Sequence, residues 1–275
     1  MEFSGILRKS LHGYEENVVL LVPGLVSYMI GLLWGIVFSN LARGNTGIFV
    51  LGEIGSVSGL VQIVLGLFIV LGQVTLTAEV VSGNRASLRE WPNGIKRHFS
   101  KVVVIYLFSL VLAITIFSVE SIPYMWLFQP RILQYAMNEQ SSLVDPTREW
   151  IRVNSLTDFL WWNLLLGLFT SLLDRFFDVC YACAVFDQKG LRETLTIAST
   201  RVKDHKKDFF KFVLFFWAIS LALALVRNSP ELMGIVQPEF AASGLSRIVS
   251  GLLGTVIAPL TYLAMFHFYS AASVC

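Results

Sequence analysis

The sequence predicts an all-α, polytopic membrane protein: six transmembrane helices in three repeats, each an interfacial amphipathic helix plus two spans, with both termini cytoplasmic. Three observations lead there. The 275 residues are 55% hydrophobic and only 15% charged, whereas soluble domains run at about 45–50% and about 25%. Six apolar runs reach the roughly 20 residues that cross about 30 Å of hydrocarbon. Lysine and arginine crowd alternate connections between those runs. A net charge of +2 singles out no partner by itself.

The six runs are residues 18–40, about 57–80, about 101–127, about 159–186, about 209–226 and about 248–272. Pro23, Gly24, Gly66, Gly72, Gly251, Gly254 and Pro259 fall inside them. In a bilayer such residues let helices approach closely, and neighbouring helices re-satisfy freed backbone groups. The first seventeen residues are polar, and the run after them exceeds a signal-peptide core of about 7–15 residues. It is expected to stay as a helix. Three cysteines in apolar surroundings are too few for a secreted disulfide framework.

Orientation follows the positive-inside rule. One side carries Arg8, Lys9, Arg85, Arg89, Lys96, Arg97 and Lys101, and then Lys189, Arg192, Arg201, Lys203, Lys206, Lys207 and Lys211. The other carries Arg43, Arg131, Arg148, Arg152, Arg227 and Arg247. The richer side, with both termini, is the cytoplasmic one.

The three basic segments share a build. "SGILRKSLHGYEENVVLLVP" (4–23), "ASLREWPNGIKRHFSKVVVIYLF" (86–108) and "KGLRETLTIASTRVKDHKKDFFKFVLFF" (189–216) each open on leucine and arginine and run into a span. In the third, Leu191, Leu195, Ile197, Ala198 and Val202 fall near helical spacing, as in a helix lying in the headgroup layer. The repeats cover about 4–80, 86–186 and 189–275 of a single membrane domain, 1–275. The connection 128–157 is long enough for a flap and too short for a domain.

"NVVLLVPGLVSYMIG" (17–31), "AEVVSGNRASLRE" (78–90) and "ACAVFDQKGLRETLTIASTRVKDHKKDFFKF" (182–212) resemble a broad family of six-span prokaryotic integral membrane proteins of unknown function. That family is similar to the membrane-anchor domain of glycerophosphodiester phosphodiesterases. The resemblance covers nearly the whole chain through loose motifs and implies a fold. It supplies no catalytic residue for these positions, and the carboxylate-rich phosphodiesterase barrel is absent.

The stretch "SLLDRFFDVCYAC" (171–183) places Asp174, Arg175 and Asp178 in an apolar run. Asp174 and Asp178 share a helix face, and Arg175 can pair with Asp178. Each charge near mid-bilayer costs about 2.5–3.5 kcal/mol, so the face turns inward. One reading is a structural pair, a second is a proton- or cation-handling site, and a third is a long fourth helix that sets these charges nearer the cytoplasmic boundary, where they cost little. Gln62, Gln73, Glu79, Asn163 and His267 are intramembrane polar groups that could join it, with Glu79 at the end of the second run and Glu120 towards the outer end of the third. Arg201, Lys203, Lys206, Lys207 and Lys211 are expected at lipid headgroups; Asp204 and Asp208 interrupt them, against a nucleic-acid surface.

Cys180-x-x-Cys183 lacks both a thioredoxin context and two further zinc ligands, so ordinary packing is expected, with no metal. His12, His98 and His205 keep no common register and are expected to face solvent or headgroups. No catalytic triad, H-E-x-x-H or phosphate loop is visible, and "GEIGSVSG" (52–59) lacks the lysine of one. No enzyme and no cofactor is expected. The leading expectation is a permease-like protein that binds or moves a small solute or lipid between repeats. The rival is a non-transporting scaffold or accessory subunit, with membrane proteins or its own copies as partners.

Overall fold

The computed structural model describes residues 2–44, 48–89, 91–127, 164, 166–232 and 240–273, and side chains at all of these but 35–44, 48–58, 117, 120–127, 227–232 and 240–247. The 128–157 connection and Asn163 lie outside the described residues. Among the described residues there are eight α-helices and no strand. They are α1 (Phe3–Glu16), α2 (Val22–Gly44), α3 (Ile48–Val81), α4 (Trp91–Leu127), α5 (Leu166–Phe186), α6 (Leu191–Asp204), α7 (Lys206–Leu232) and α8 (Phe240–Ala272). A 3-10 turn at Val18–Leu21 joins α1 to α2.

Four helical stretches are long and apolar enough to cross a membrane: Gly59–Val81, Trp91–Ile116, Lys206–Val226 and Ile248–Ala272. Phe3–Glu16 with Val18–Trp34 makes a fifth if that pair, bent by 93°, is one span. This is the make-up of a multi-pass membrane protein, with four to five spans described where six were expected. The helix expected as the fourth span, α5, is missing from the set because its 21 residues include Asp174, Arg175 and Asp178. The face of α4 supports the membrane setting. Leu107, Phe108, Val111 and Ile114 follow helical spacing and are all exposed, a row that acyl chains cover and water would not tolerate cheaply.

The chain forms two compact units, Met1–Tyr106 with Asp178–His205 and Thr255–Cys275, and Leu107–Phe177 with Lys206–Gly254. In the first, Leu20, Leu76 and Leu263 make a fully buried cluster, flanked by Tyr14, Val19, Val80 and Val81. Close approach there depends on small residues. A Cβ on Gly72 would lie 2.5 Å from the Trp91 indole nitrogen, and one on Gly66 2.6 Å from the Tyr106 hydroxyl. That hydroxyl donates to the Ile63 carbonyl at 3.1 Å. Gly24 sits against the Thr255 backbone. Gly254, by contrast, faces open space, so not every glycine of the apolar runs is a packing residue.

The bend after α1 is made by Asn17. Its amide donates to the Gly13 carbonyl at 2.9 Å and its oxygen accepts the Ala86 N–H at 2.9 Å. One buried side chain (7% exposed) thus caps a helix and ties the turn after α3 to it. In the second basic segment no such break occurs. Helix α4 runs unbroken from Trp91 into the membrane stretch, opening on a proline next to its first residue, where a missing N–H costs nothing.

Burial follows one register in the three basic helices. Counting from the first residue of α1, α4 and α6, the protein-facing positions recur at Ile6, Ser10, Gly13 and Asn17; at Gly94, His98, Lys101 and Ile105; and at Thr194, Ala198, Arg201 and His205. All are buried or half-buried. His98 is 8% exposed, which corrects the expectation that it faces solvent: it lies on the inner face of α4. His12 is exposed and pairs with Glu16 at 3.3 Å.

The second unit is built on α7. Phe209, Phe212, Val213 and Phe216 are buried at spacings of three and four, one helix face. Ser171 donates to the Val213 carbonyl at 3.4 Å, and Phe108 meets Phe177 edge-on at 6.1 Å.

The contact of α3 with α4 gives a direct test. A Cβ on Gly94 would fall within van der Waals overlap of the Thr75 methyl. Gly94→Ala is expected to destabilise the protein by about 1–3 kcal/mol of overpacking, outweighing the roughly 1 kcal/mol that alanine gains in a helix. In a Thr75→Ser background, where the methyl is gone, the same change should be neutral or stabilising. Thermal unfolding of the four proteins in detergent reads the reversal of sign.

Candidate functional site

The strongest polar constellation forms where α5 ends. The chain leaves α5 at Phe186, and Gln188 takes a left-handed backbone (φ 54°), the geometry that closes helix C-termini. The Asp187 N–H bonds back to the Cys183 carbonyl at 2.9 Å, which fixes the carboxylate beside α6 and α8. There it accepts the Tyr269 hydroxyl at 2.5 Å and lies 3.5 Å from the Arg201 guanidinium. The Cys183 thiol is 3.9 Å away.

Arg201 is bound on two further sides. It donates to the Tyr269 carbonyl at 3.1 Å and its guanidinium lies 3.7 Å over the Tyr269 ring, a cation–π geometry. Phe186 stacks on Tyr269 with ring planes 9° apart and meets Phe266 edge-on. His205 sets its edge against Phe268. The Gln188 carbonyl accepts the Lys101 ammonium at 2.9 Å. Four helices, α4, α5, α6 and α8, and one turn therefore share a single charged centre.

The residues expected from sequence are distributed more widely. Asp178 is 5% exposed and Gln73 3% exposed, and both belong to the first unit, as does the half-buried His267. Asp174 is exposed and, with Arg175, falls in the second unit. Arg175 is half-buried, its guanidinium 5.4 Å from the Phe216 ring. Among the described residues the Gln73 amide nitrogen, the Thr75 and Thr77 hydroxyls and the Trp91 indole nitrogen are buried without a hydrogen-bond partner. Gln73 and Thr77 are four apart and share a face of α3.

Of the residues expected at headgroups, Lys203, Lys206, Lys207 and Lys211 are exposed, Lys211 at 3.0 Å from Asp208. Arg201 departs from them. Only 17% of its side chain is exposed, because Asp187 and Tyr269 hold it against the protein. Cys180 and Cys183 are buried free thiols, and among the described residues no group of three His, Cys, Asp or Glu is placed to hold a metal.

Asp187 and Tyr269 escaped the sequence reading. Tyr269 lies 82 residues from Asp187 and reads as one more aromatic at a span end. A signal did exist: Arg201 stands on the helix face that carries Thr194 and Ala198, not on the outer face of Arg192, Thr196 and Lys203. Tyr269→Phe removes one hydroxyl from the carboxylate and leaves the ring. It should cost about 1 kcal/mol, the net worth of one hydrogen bond to a half-buried carboxylate, read by thermal unfolding in detergent. No protein-family model, no curated protein and no solved structure matches this chain.

Proposed function

We propose that the chain is a six-span, permease-like integral protein of the cell membrane, with both termini cytoplasmic, that binds or moves a small solute or lipid. One observation carries the reading: Asp178, a carboxylate 5% exposed in the middle of α5. Ionisable groups at bilayer depth are costly and are kept where they serve a ligand, ion or proton path. Gln73 and Thr77 add donors with unspent hydrogen-bonding capacity in the same unit.

The threefold repeat is part of the proposal and is supported by the shared burial register of α1, α4 and α6, and by the equal length of α1 and α6, 14 residues each. Gly83 and Gln188 add to it: each lies two residues past the end of its helix with φ of 83° and 54°. The 93° bend after α1 suits a helix lying along the surface before a span descends. The exposed lysines of α6 and α7 then face anionic headgroups. The six-span prokaryotic family, with its phosphodiesterase-linked anchor domain, remains the proposed kinship, and it extends to fold alone. Lipids are the partners; catalysis, cofactor and nucleic acid have no part.

A second reading, the scaffold or accessory subunit that assembles with other membrane proteins or its own copies, draws on Arg175. Its place over Phe216 spends a charge on packing. Asp178→Asn separates the two. Proteoliposomes loaded with a mixture of small solutes and doped with fluorescent phospholipid report flux by mass spectrometry and dithionite bleaching. The permease reading expects at least a tenfold loss of whichever flux the native protein supports, with melting within a few degrees of native. No flux in the native protein, with Asp178→Asn lowering melting temperature and yield, would sink it in favour of the scaffold.

A further inference from the structure

We propose that Asp187, Arg201 and Tyr269 form a latch that seats α6, and that an anionic phosphate group opens it by competing with Asp187 for Arg201. The inference rests on the reading that α6 lies at the membrane surface. Three features of the centre carry it.

The first is the uneven strength of its bonds. The carboxylate is held closely by the Tyr269 hydroxyl, at 2.5 Å. Its distance to Arg201 is 3.5 Å, longer than the roughly 2.7–2.9 Å of a strong charge-assisted bond. The guanidinium is kept instead by the Tyr269 ring and carbonyl, so its best anionic partner is still to be gained. A phosphate offers the paired oxygens that guanidinium binds two at a time.

The second feature is access. The side chains of Arg201 and Asp187 are 17% and 30% exposed, so the centre is sheltered but reachable from the side of α6. The third is local charge. Lys189 is 52% exposed, and Lys203, on α6 itself, is exposed. Such a cluster concentrates anionic phosphates at a membrane surface.

Opening releases α6 because Arg201 is its largest protein-facing side chain. The fully buried residues of α6 are Thr194 and Ala198, which bury little apolar area, and Leu191, Leu195, Ile197 and Val202 are only half-buried. With Arg201 drawn to a phosphate, the helix loses its tie to α8 and to the turn after α5.

The test follows amide hydrogen exchange of residues 191–204 by mass spectrometry, on the full chain in nanodiscs. Phosphatidylcholine is compared with a 30% phosphatidylglycerol mixture at one ionic strength. Inorganic phosphate is added to the phosphatidylcholine discs in a third arm. Native protein is expected to exchange at least fivefold faster over 191–204 with phosphatidylglycerol. A response to inorganic phosphate alone would also support the latch, and would assign the phosphate to solution, not lipid. Arg201→Gln should show the fast rate in every arm, while Arg192→Gln, a change at an exposed residue of the outer face of α6, should respond like the native chain. Arg201→Lys, which keeps charge and fold but not the paired geometry, should lose most of the response. Exchange unchanged or slowed by both phosphate sources overturns the latch. So does a native-like response in Arg201→Gln. Depth measurement on a spin label at Thr196→Cys, by oxygen and nickel-chelate accessibility, tells such a failure from a failure of the surface placement. A label at headgroup depth leaves that placement standing.

Discussion

Hydrocarbon offers a polar group neither a hydrogen bond nor a counter-charge, and that constraint accounts for where several of the described charged residues sit. Most of the described lysines stay exposed, and Lys101, half-buried on the inner face of α4, reaches the Gln188 carbonyl. The carboxylates and guanidinium that cannot leave the protein are drawn inward, Asp178 into α5's buried half and Arg201 onto the Tyr269 ring. The outer face of α4 is greasy along Leu107, Phe108, Val111 and Ile114, and its Thr115 hydroxyl is returned to the Val111 carbonyl. Because the bilayer supplies no hydrophobic force between helices, association falls to close packing. Gly66, Gly72 and Gly94 provide it between α3 and α4, each exchanging a side chain for the body of a tyrosine, a tryptophan or a threonine.

Much of the helical plan was legible in the sequence, since apolar runs of membrane length have few other uses. The ends were less so. Helix α3 begins at Ile48 and α4 at Trp91, each about ten residues before its apolar run. A backbone hydrogen-bond ladder continues past the hydrocarbon as long as nothing interrupts it. Interruption itself depends on single residues. Asn17 breaks α1 from α2 by taking two backbone partners, and no equivalent group stands in α4. Composition cannot distinguish those two segments.

The candidate sites divide along the same line. Asp178 and Gln73 could be singled out because a polar residue in an apolar run is visible locally. Their spread with Asp174 and Arg175 over two units could not, since that depends on tertiary contacts. Asp187 was hidden for another reason: in "VFDQKG" it reads as one turn residue among several, and its partner Tyr269 is distant in sequence. The telling feature was the helix face of Arg201. A guanidinium placed with Thr194 and Ala198 is on the protein-facing side of α6, and periodicity alone identifies that side.

The shared register gives the turn after α5 its meaning. The third protein-facing position of each basic helix is Gly13 in α1, Lys101 in α4 and Arg201 in α6. Glycine has nothing to extend, and Val80 packs against it. The two cations both reach residues 187 and 188: Lys101 takes the Gln188 carbonyl and Arg201 the Asp187 carboxylate. A non-glycine residue in the left-handed region costs roughly 1–2 kcal/mol, so Gln188 is a strained choice where glycine would serve. At φ 54°, however, its carbonyl receives the Lys101 ammonium while the neighbouring carboxylate receives Arg201. Two basic helices are thereby tied to one turn, and that turn is fixed in place by Tyr269. The hydrogen bonds from Lys101 and Tyr269 offset the strain, and the two basic helices gain a common anchor that neither could make alone.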